Sequence, residues 1–151
     1  MKTLTFEEAR KELKNKLTDF LVENNIKSNK YKTMFNCINP NHDDHSPSMH
    51  VFESFNGEQI AYCLGCNIVA DIFMANNLLH GKPLMGHDFI LENMKPLADH
   101  YGIDFEMKPL TAEEIEEMNM RSLYKIVRDM IVYRLKHMKL VDGNFTNYLQ
   151  E

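Results

Sequence analysis

The chain has 151 residues, 17 Lys and Arg against 22 Asp and Glu, a formal charge of −5, three cysteines and no tryptophan. That length holds one domain or one small domain with an appendage, and 44% apolar residues can build its core. Three cysteines make no closed disulfide framework, no apolar run nears the ~18–20 residues of a membrane span, and the net charge excludes a uniformly basic nucleic-acid binder.

The start, MKTLTFEEARKELK, carries acids where a secretory leader would be apolar, so a soluble cytoplasmic protein is expected. Thr5 and Glu8 form a T-x-x-E capping box, and Leu13, Leu17, Phe20 and Leu21 recur at helical spacing. They predict one helix from Thr5 to about Glu23, stopped by Asn24 and Asn25. The next forty residues lose that period. Tyr31 to Asn36, Met49 to Phe52 and Gln59 to Cys63 read as short strands, with Asn56-Gly57 as the turn between the second and third. Pro40 and Pro47 bracket a polar loop, NPNHDDHSP.

Val69, Ile72, Phe73 and Asn76 to Leu79 then suit a short helix ended by Gly81 and Pro83. Phe89, Ile90, Met94, Leu97 and Ala98 suggest another, which Pro96 would break or kink because it lacks an N–H. Gly102 closes that region. Thr111 to Glu114 is a second capping box, opening a long helix to about Leu140, and Asp142-Gly143 turns the chain into a final short stretch. The long helix is electrically divided. Residues 106–118 hold five acids and one Lys, whereas 119–140 hold six Lys or Arg and one Asp. At ~100° per residue, Arg121, Lys125, Arg128, Lys136 and Lys139 form one stripe opposite Leu123, Val127 and Met130. The plain reading is a solvated face, and the sharper one a template or partner contact.

The strongest local signal is Cys63-Leu64-Gly65-Cys66. A C-x-x-C knuckle at a strand end brings two thiolates to one tetrahedral ion at about 2.3 Å, and a glycine suits a turn whose backbone a Cβ would penalise. Cys37 supplies a third thiol from another strand end. The fourth ligand must be a non-cysteine, and His42, at C-x4-H spacing, is the first choice; His45 is the second. His50 alternates with Met49 and Val51 and reads as a sheet residue. His80, His87, His100 and His137 read as surface residues. A thioredoxin-like redox pair would leave Cys37 unused and needs a βαβ setting. Three unrelated buried thiols are the remaining alternative. With four protein donors there is no open coordination position, so one structural zinc ion is expected, not a catalytic one. The fold class expected is α+β, a small zinc-ribbon-like antiparallel sheet flanked by helices and followed by a long C-terminal helix.

These residues resemble a known family. Pro40-Asn41-His42-Asp43-Asp44-His45-Ser46-Pro47-Ser48-Met49 is similar to the P-x-H-x-E-x-x-P-S-F signature of DnaG-type DNA primases, and Ala61-Tyr62-Cys63-Leu64-Gly65-Cys66 to their Y-H-C-F-G-C. Asp71-Ile72-Phe73 and Leu97-Ala98-Asp99-His100-Tyr101-Gly102-Ile103 resemble further family landmarks, so the likeness spans roughly 25–105. The chain departs in its C-x4-H spacing, where C-x2-H is usual, and at Met49, Leu64 and His45, a drift that suits a phage-encoded member. The resemblance implies a zinc-binding domain over 1–105, with Cys37, His42, Cys63 and Cys66 as ligands, and a helical linker over 106–151. It implies that the domain binds single-stranded DNA template, helps choose the initiation site and stabilises the first dinucleotide made by the catalytic core. That core, and a replicative helicase, are the implied partners, in a bacterial cytoplasm. The end Asn147-Tyr148-Leu149-Gln150-Glu151 is similar to the approach to the family's Y-L-x-x-R-G motif, so the chain is expected to be a fragment that stops before the core. No residue here is expected to be catalytic.

For template contact, Lys27, Lys30 and Lys32 cluster near the first strand and interleave with Tyr31, Phe35, Phe52, Phe55 and Tyr62. Alternation sends about half of those aromatics into the core, and Lys30 and Lys32, on one face, are the expected DNA-binding residues. Asp43 and Asp44 read as loop-ordering groups. The competing reading is a stand-alone zinc-ribbon protein that binds and regulates a replication or transcription protein.

Overall fold

The first capping box closes in both directions: Thr5 Oγ1 accepts the Glu8 N–H and Glu8 Oε2 accepts the Thr5 N–H. It opens α1, Phe6–Lys14. The computed structural model describes residues 3–107 and 110–137, in two units divided between Lys108 and Pro109. The single helix predicted to Glu23 is two, because after α1 the chain tightens at Asn15 and Lys16 before α2, Leu17–Glu23. Ala9, Leu13, Leu17, Phe20 and Leu21 are all buried, and they would share a face of one straight helix too, so periodicity carries no sign of the break. The break exposes the first N–H groups of α2, which has no side-chain cap of its own. Gln59 Oε1, from a distant strand, accepts the Thr18 N–H at 2.9 Å, and Lys14 Nζ reaches Glu58 at 3.0 Å.

The sheet has four antiparallel strands in chain order: β1 Met34–Phe35, β2 Met49–Glu53, β3 Gln59–Cys63 and β4 Val69–Ala70. β1 is shorter than predicted. Asn29 Oδ1 accepts the N–H groups of Thr33 and Met34, and Lys32 has φ 55°, so Lys30 to Thr33 form a turn. Between β2 and β3 the predicted turn holds, with Gly57 at φ 76° and the Gly57 N–H on the Ser54 carbonyl. β4 replaces the start of a predicted helix: Val69 pairs with Tyr62 and Ala70 with Ala61. The two-residue strand is too short to show a period, and the chain reverses after the knuckle through a Cys63 N–H bond to Ile68.

Phe35, Met49, Val51, Ala61, Cys63 and Ala70 share one core with the apolar faces of α1 and α2 and with Ile72 and Phe73. α3, Ile72–His80, starts on Asp71, whose carboxylate accepts the Met74 N–H, and ends at Gly81 in the left-handed conformation. A further helical run follows as α4, Gly86–Asp88, a π-helical segment, Phe89–Met94, and α5, Lys95–Tyr101. Pro96 does not stop it. The wide turn ahead, where the Lys95 N–H reaches the Ile90 carbonyl, accommodates a residue that donates nothing.

The second unit holds α6, Ala112–His137, opened by the Thr111–Glu114 capping box. None of its residues is buried. The predicted extension to Leu140, Lys139 and the Asp142-Gly143 turn lie outside the described residues. No helix among the described residues is long and apolar enough to cross a membrane.

Candidate metal centre

The β1–β2 loop and the β3–β4 turn meet at one end of the sheet. Cys37 follows β1, Cys63 ends β3, Cys66 closes the knuckle, and His42 enters from the loop between β1 and β2. Their ligand atoms all lie within 4.8 Å of one another. Cys37 Sγ and Cys66 Sγ are 3.5 Å apart, and Cys63 Sγ is 3.4 Å from His42 Nδ1. A tetrahedral ion with metal–sulfur bonds of about 2.3 Å needs sulfurs roughly 3.8 Å apart, a separation between the 3.5 Å of the Cys37–Cys66 pair and the 4.8 Å that bounds the cluster.

The loop is tied together by Asp44. Its Oδ2 accepts the Cys37 N–H at 2.7 Å and lies 2.7 Å from Ser48 Oγ, which is itself 3.3 Å from Cys63 Sγ. The one Ser48 proton can serve either acceptor. Asn36 Nδ2 donates to the Asp44 carbonyl, and Asn39 Nδ2 reaches Cys66 Sγ. Burial raises the Asp44 carboxyl, but the Ser48 hydroxyl, the Cys37 N–H and nearby His42 hold it below its ordinary range. Asp43, by contrast, meets His45 at 3.7 Å, both side chains being about nine-tenths exposed (91% and 90%). The structure therefore brings His42, and not His45, to the thiols. His50 sits in β2 on the exposed face of the sheet.

Electrostatics sorts the thiols. Burial raises Cys63, but the Ser48 hydroxyl and the N–H groups of Cys66 and Gly65 outweigh it and bring the thiol down to about 6. Burial, opposed by the Asn39 N–H and joined by the neighbouring Cys66 and Cys63 thiols, pushes Cys37 up to about 12. Three crowded thiols cannot all ionise unaided, and a divalent cation among them reverses that cost. Backbone N–H donors already aimed at sulfur, from Asn39 to Cys37 and from Gly65 to Cys63, suit thiolates.

Gly65 has a different reason from the one its place in a turn suggests. It is not among the glycines with positive φ; Asn67, at 60°, takes that conformation in the knuckle. A Cβ at Gly65 would instead meet the His42 ring, 2.6 Å from Cε1 and 2.9 Å from Nε2. Gly65→Ala is expected to weaken metal binding by ~10–100-fold, the scale on which displaced ligand support acts. Competition with a chromophoric chelator measures it, and an unchanged affinity would mean that the ring does not lean on the knuckle.

The other expected site residues lie elsewhere. Lys30 and Lys32 are exposed in the turn before β1, so strand alternation does not govern where they point. Of the five aromatics, Phe35 is buried, while Tyr31, Phe52 and Phe55 are exposed and Tyr62 is half-buried. Cross-strand register forms a row that the sequence pattern left incomplete. Met34 pairs with His50, His50 with Tyr62 and Tyr62 with Val69, and Phe52 pairs with Ile60 beside them. Residues directly opposite share a face, here the one turned away from the core. His50 and Phe52 have ring centroids 6.0 Å apart. Val69 joins the row only because β4 exists. No family model matches this chain, and no curated protein or solved structure matches it.

Proposed function

We propose that this chain is the zinc-dependent, single-stranded-template recognition module of a DnaG-type DNA primase, and that primer synthesis belongs to a catalytic core outside it. One observation carries the reading: the residues that make the family resemblance are the ones that build the metal cluster. His42 of the P-x-H landmark faces Cys63 Sγ, and Ser48 of the P-S dipeptide lies against both Cys63 Sγ and Asp44. Zinc suits three thiolates and one imidazole, and held by Cys37, His42, Cys63 and Cys66 it supplies folding free energy without an open position for chemistry.

The exposed sheet face is the surface on which template bases would stack. His50, Phe52 and Tyr62 offer ring faces, and Lys30 and Lys32, in the turn leading into the sheet, offer charge to phosphates. Tyr62 is held in place by its hydroxyl, which donates to Asn67 Oδ1 at 2.6 Å.

Fluorescence anisotropy with labelled single-stranded DNA tests the reading. Phe52→Ala is expected to weaken binding by ~10–100-fold, from the ~1–3 kcal/mol of one lost base stack. Lys30→Gln with Lys32→Gln should flatten the slope of log K against log salt by about one unit per lost phosphate contact. The second reading, a module that binds and regulates a replication or transcription protein, draws on the −5 charge and the five acids in 106–118. Salt-insensitive capture of a protein, with no DNA binding by the zinc-loaded chain, would replace the first reading by the second.

A further inference from the structure

Helix α6 spans about 39 Å at 1.5 Å per residue and buries none of its side chains. Leu123, Val127, Met130, Tyr124, Ile126 and Ile131 are among its large exposed residues. A helix with so many exposed apolar side chains needs a partner. What that partner is can be read from two charges in the apolar stripe. Glu116, Met120, Leu123, Val127, Met130 and Arg134 follow one another at alternating spacings of four and three, the a and d positions of a heptad repeat. The acid closes one end of the stripe and the base the other. Glu116 and Arg134 stand about five turns apart at the same angle round the helix, and neither is in an ion pair among the described residues.

We propose that α6 pairs with α6 of a second copy of this chain as an antiparallel coiled coil centred on Lys125. In that register Glu116 meets Arg134 of the other copy at both ends, Met120 meets Met130, and Leu123 meets Val127. Every layer joins an a position to a d position. Glu113 and His137 extend the same order outward, and Tyr124, Ile126, Ile131 and Tyr133 widen the seam at its flanks. Arg121, Lys125, Arg128 and Lys136 remain on the outer face. A parallel pair places Glu116 on Glu116 and Arg134 on Arg134, so charge selects the antiparallel one.

Sedimentation equilibrium of the full, zinc-loaded chain, with circular dichroism to follow helix content, tests the pairing. The chain is expected to associate reversibly as a dimer. Glu116→Arg alone and Arg134→Glu alone each set like charges against one another twice per dimer and should weaken it by about tenfold or more. The two together restore opposite charges and should recover most of the affinity. A chain that stays monomeric as concentration rises, its helix covered by its own first unit or by a different protein, overturns the proposal. So does a dimer that responds equally to none or all of the three variants, the behaviour of a parallel pair or of another interface.

Discussion

Replacing Cys63 with serine is expected to remove most metal binding and to unfold the ribbon around it. Cys63 is fully buried at the end of β3, with its Sγ beside His42 Nδ1 and Ser48 Oγ, and its thiol is the one whose surroundings favour ionisation. A serine hydroxyl keeps its proton and is a poor zinc ligand. Structural zinc contributes ~10–16 kcal/mol of apparent binding free energy over four ligands, so losing one thiolate costs ~3–4 kcal/mol, or about 10²–10³ in affinity. Zinc content by atomic absorption, after dialysis against a competing chelator, should fall from near one ion per chain. Thermal unfolding should then resemble that of the chelated protein, which is expected to lose order over residues 30–80. His42→Ala should behave in the same way, whereas His45→Ala, at an exposed side chain, should leave zinc content intact. A serine variant with full zinc and unchanged unfolding would falsify the centre described here.

Asn93→Leu is expected to be the most destabilising change away from the metal. Asn93 is fully buried in the π-helical segment, where its amide donates to the carbonyls of Phe73 and Pro83 at 3.2 and 3.0 Å and accepts from Asn76 Nδ2 at 2.9 Å. Leucine fills a similar volume but leaves those groups unpaired in the core. At ~1–3 kcal/mol for each unsatisfied group, partly offset by relaxation, the loss should be about 2–4 kcal/mol. For a unit of this size that lowers the melting temperature by roughly 10–20 °C. Zinc stoichiometry should stay unchanged, which separates this effect from loss of a ligand. Equal melting temperatures for variant and parent would show that water reaches this cluster and replaces the lost bonds.

Both changes act on residues that were unequally visible in the sequence. Cys63 announces itself through a spacing that few other structures require. Asn93 lies inside an ordinary helical pattern, and its importance comes from Phe73 and Pro83, distant in the chain. The same contrast runs through the fold. The capping boxes at Thr5 and Thr111, the Gly57 turn and the α+β order of elements depend on neighbours within four residues, so they are legible locally. The break between α1 and α2 is not, because the group that caps Thr18 is Gln59. β4 escapes notice because two residues cannot display alternation. It exists because the knuckle reverses the chain beside β3.

At the metal centre, residue types and spacings alone singled out the three cysteines and narrowed the histidine to His42 or His45. They also identified Asp43 and Asp44 as loop residues. Spacing already ranked His42 ahead of His45; tertiary structure showed which member of each pair faces the thiols. His42 and Asp44 turn inward because Cys37, just after β1, Ser48, just before β2, and Cys63, at the end of β3, offer them partners. His45 and Asp43 lie about nine-tenths exposed and meet each other, away from the thiols. Spacing states which groups can reach one point, since it measures the length of chain between them. Which group arrives there depends on donors and acceptors brought in from elsewhere in the chain, and those exist only once the sheet has formed.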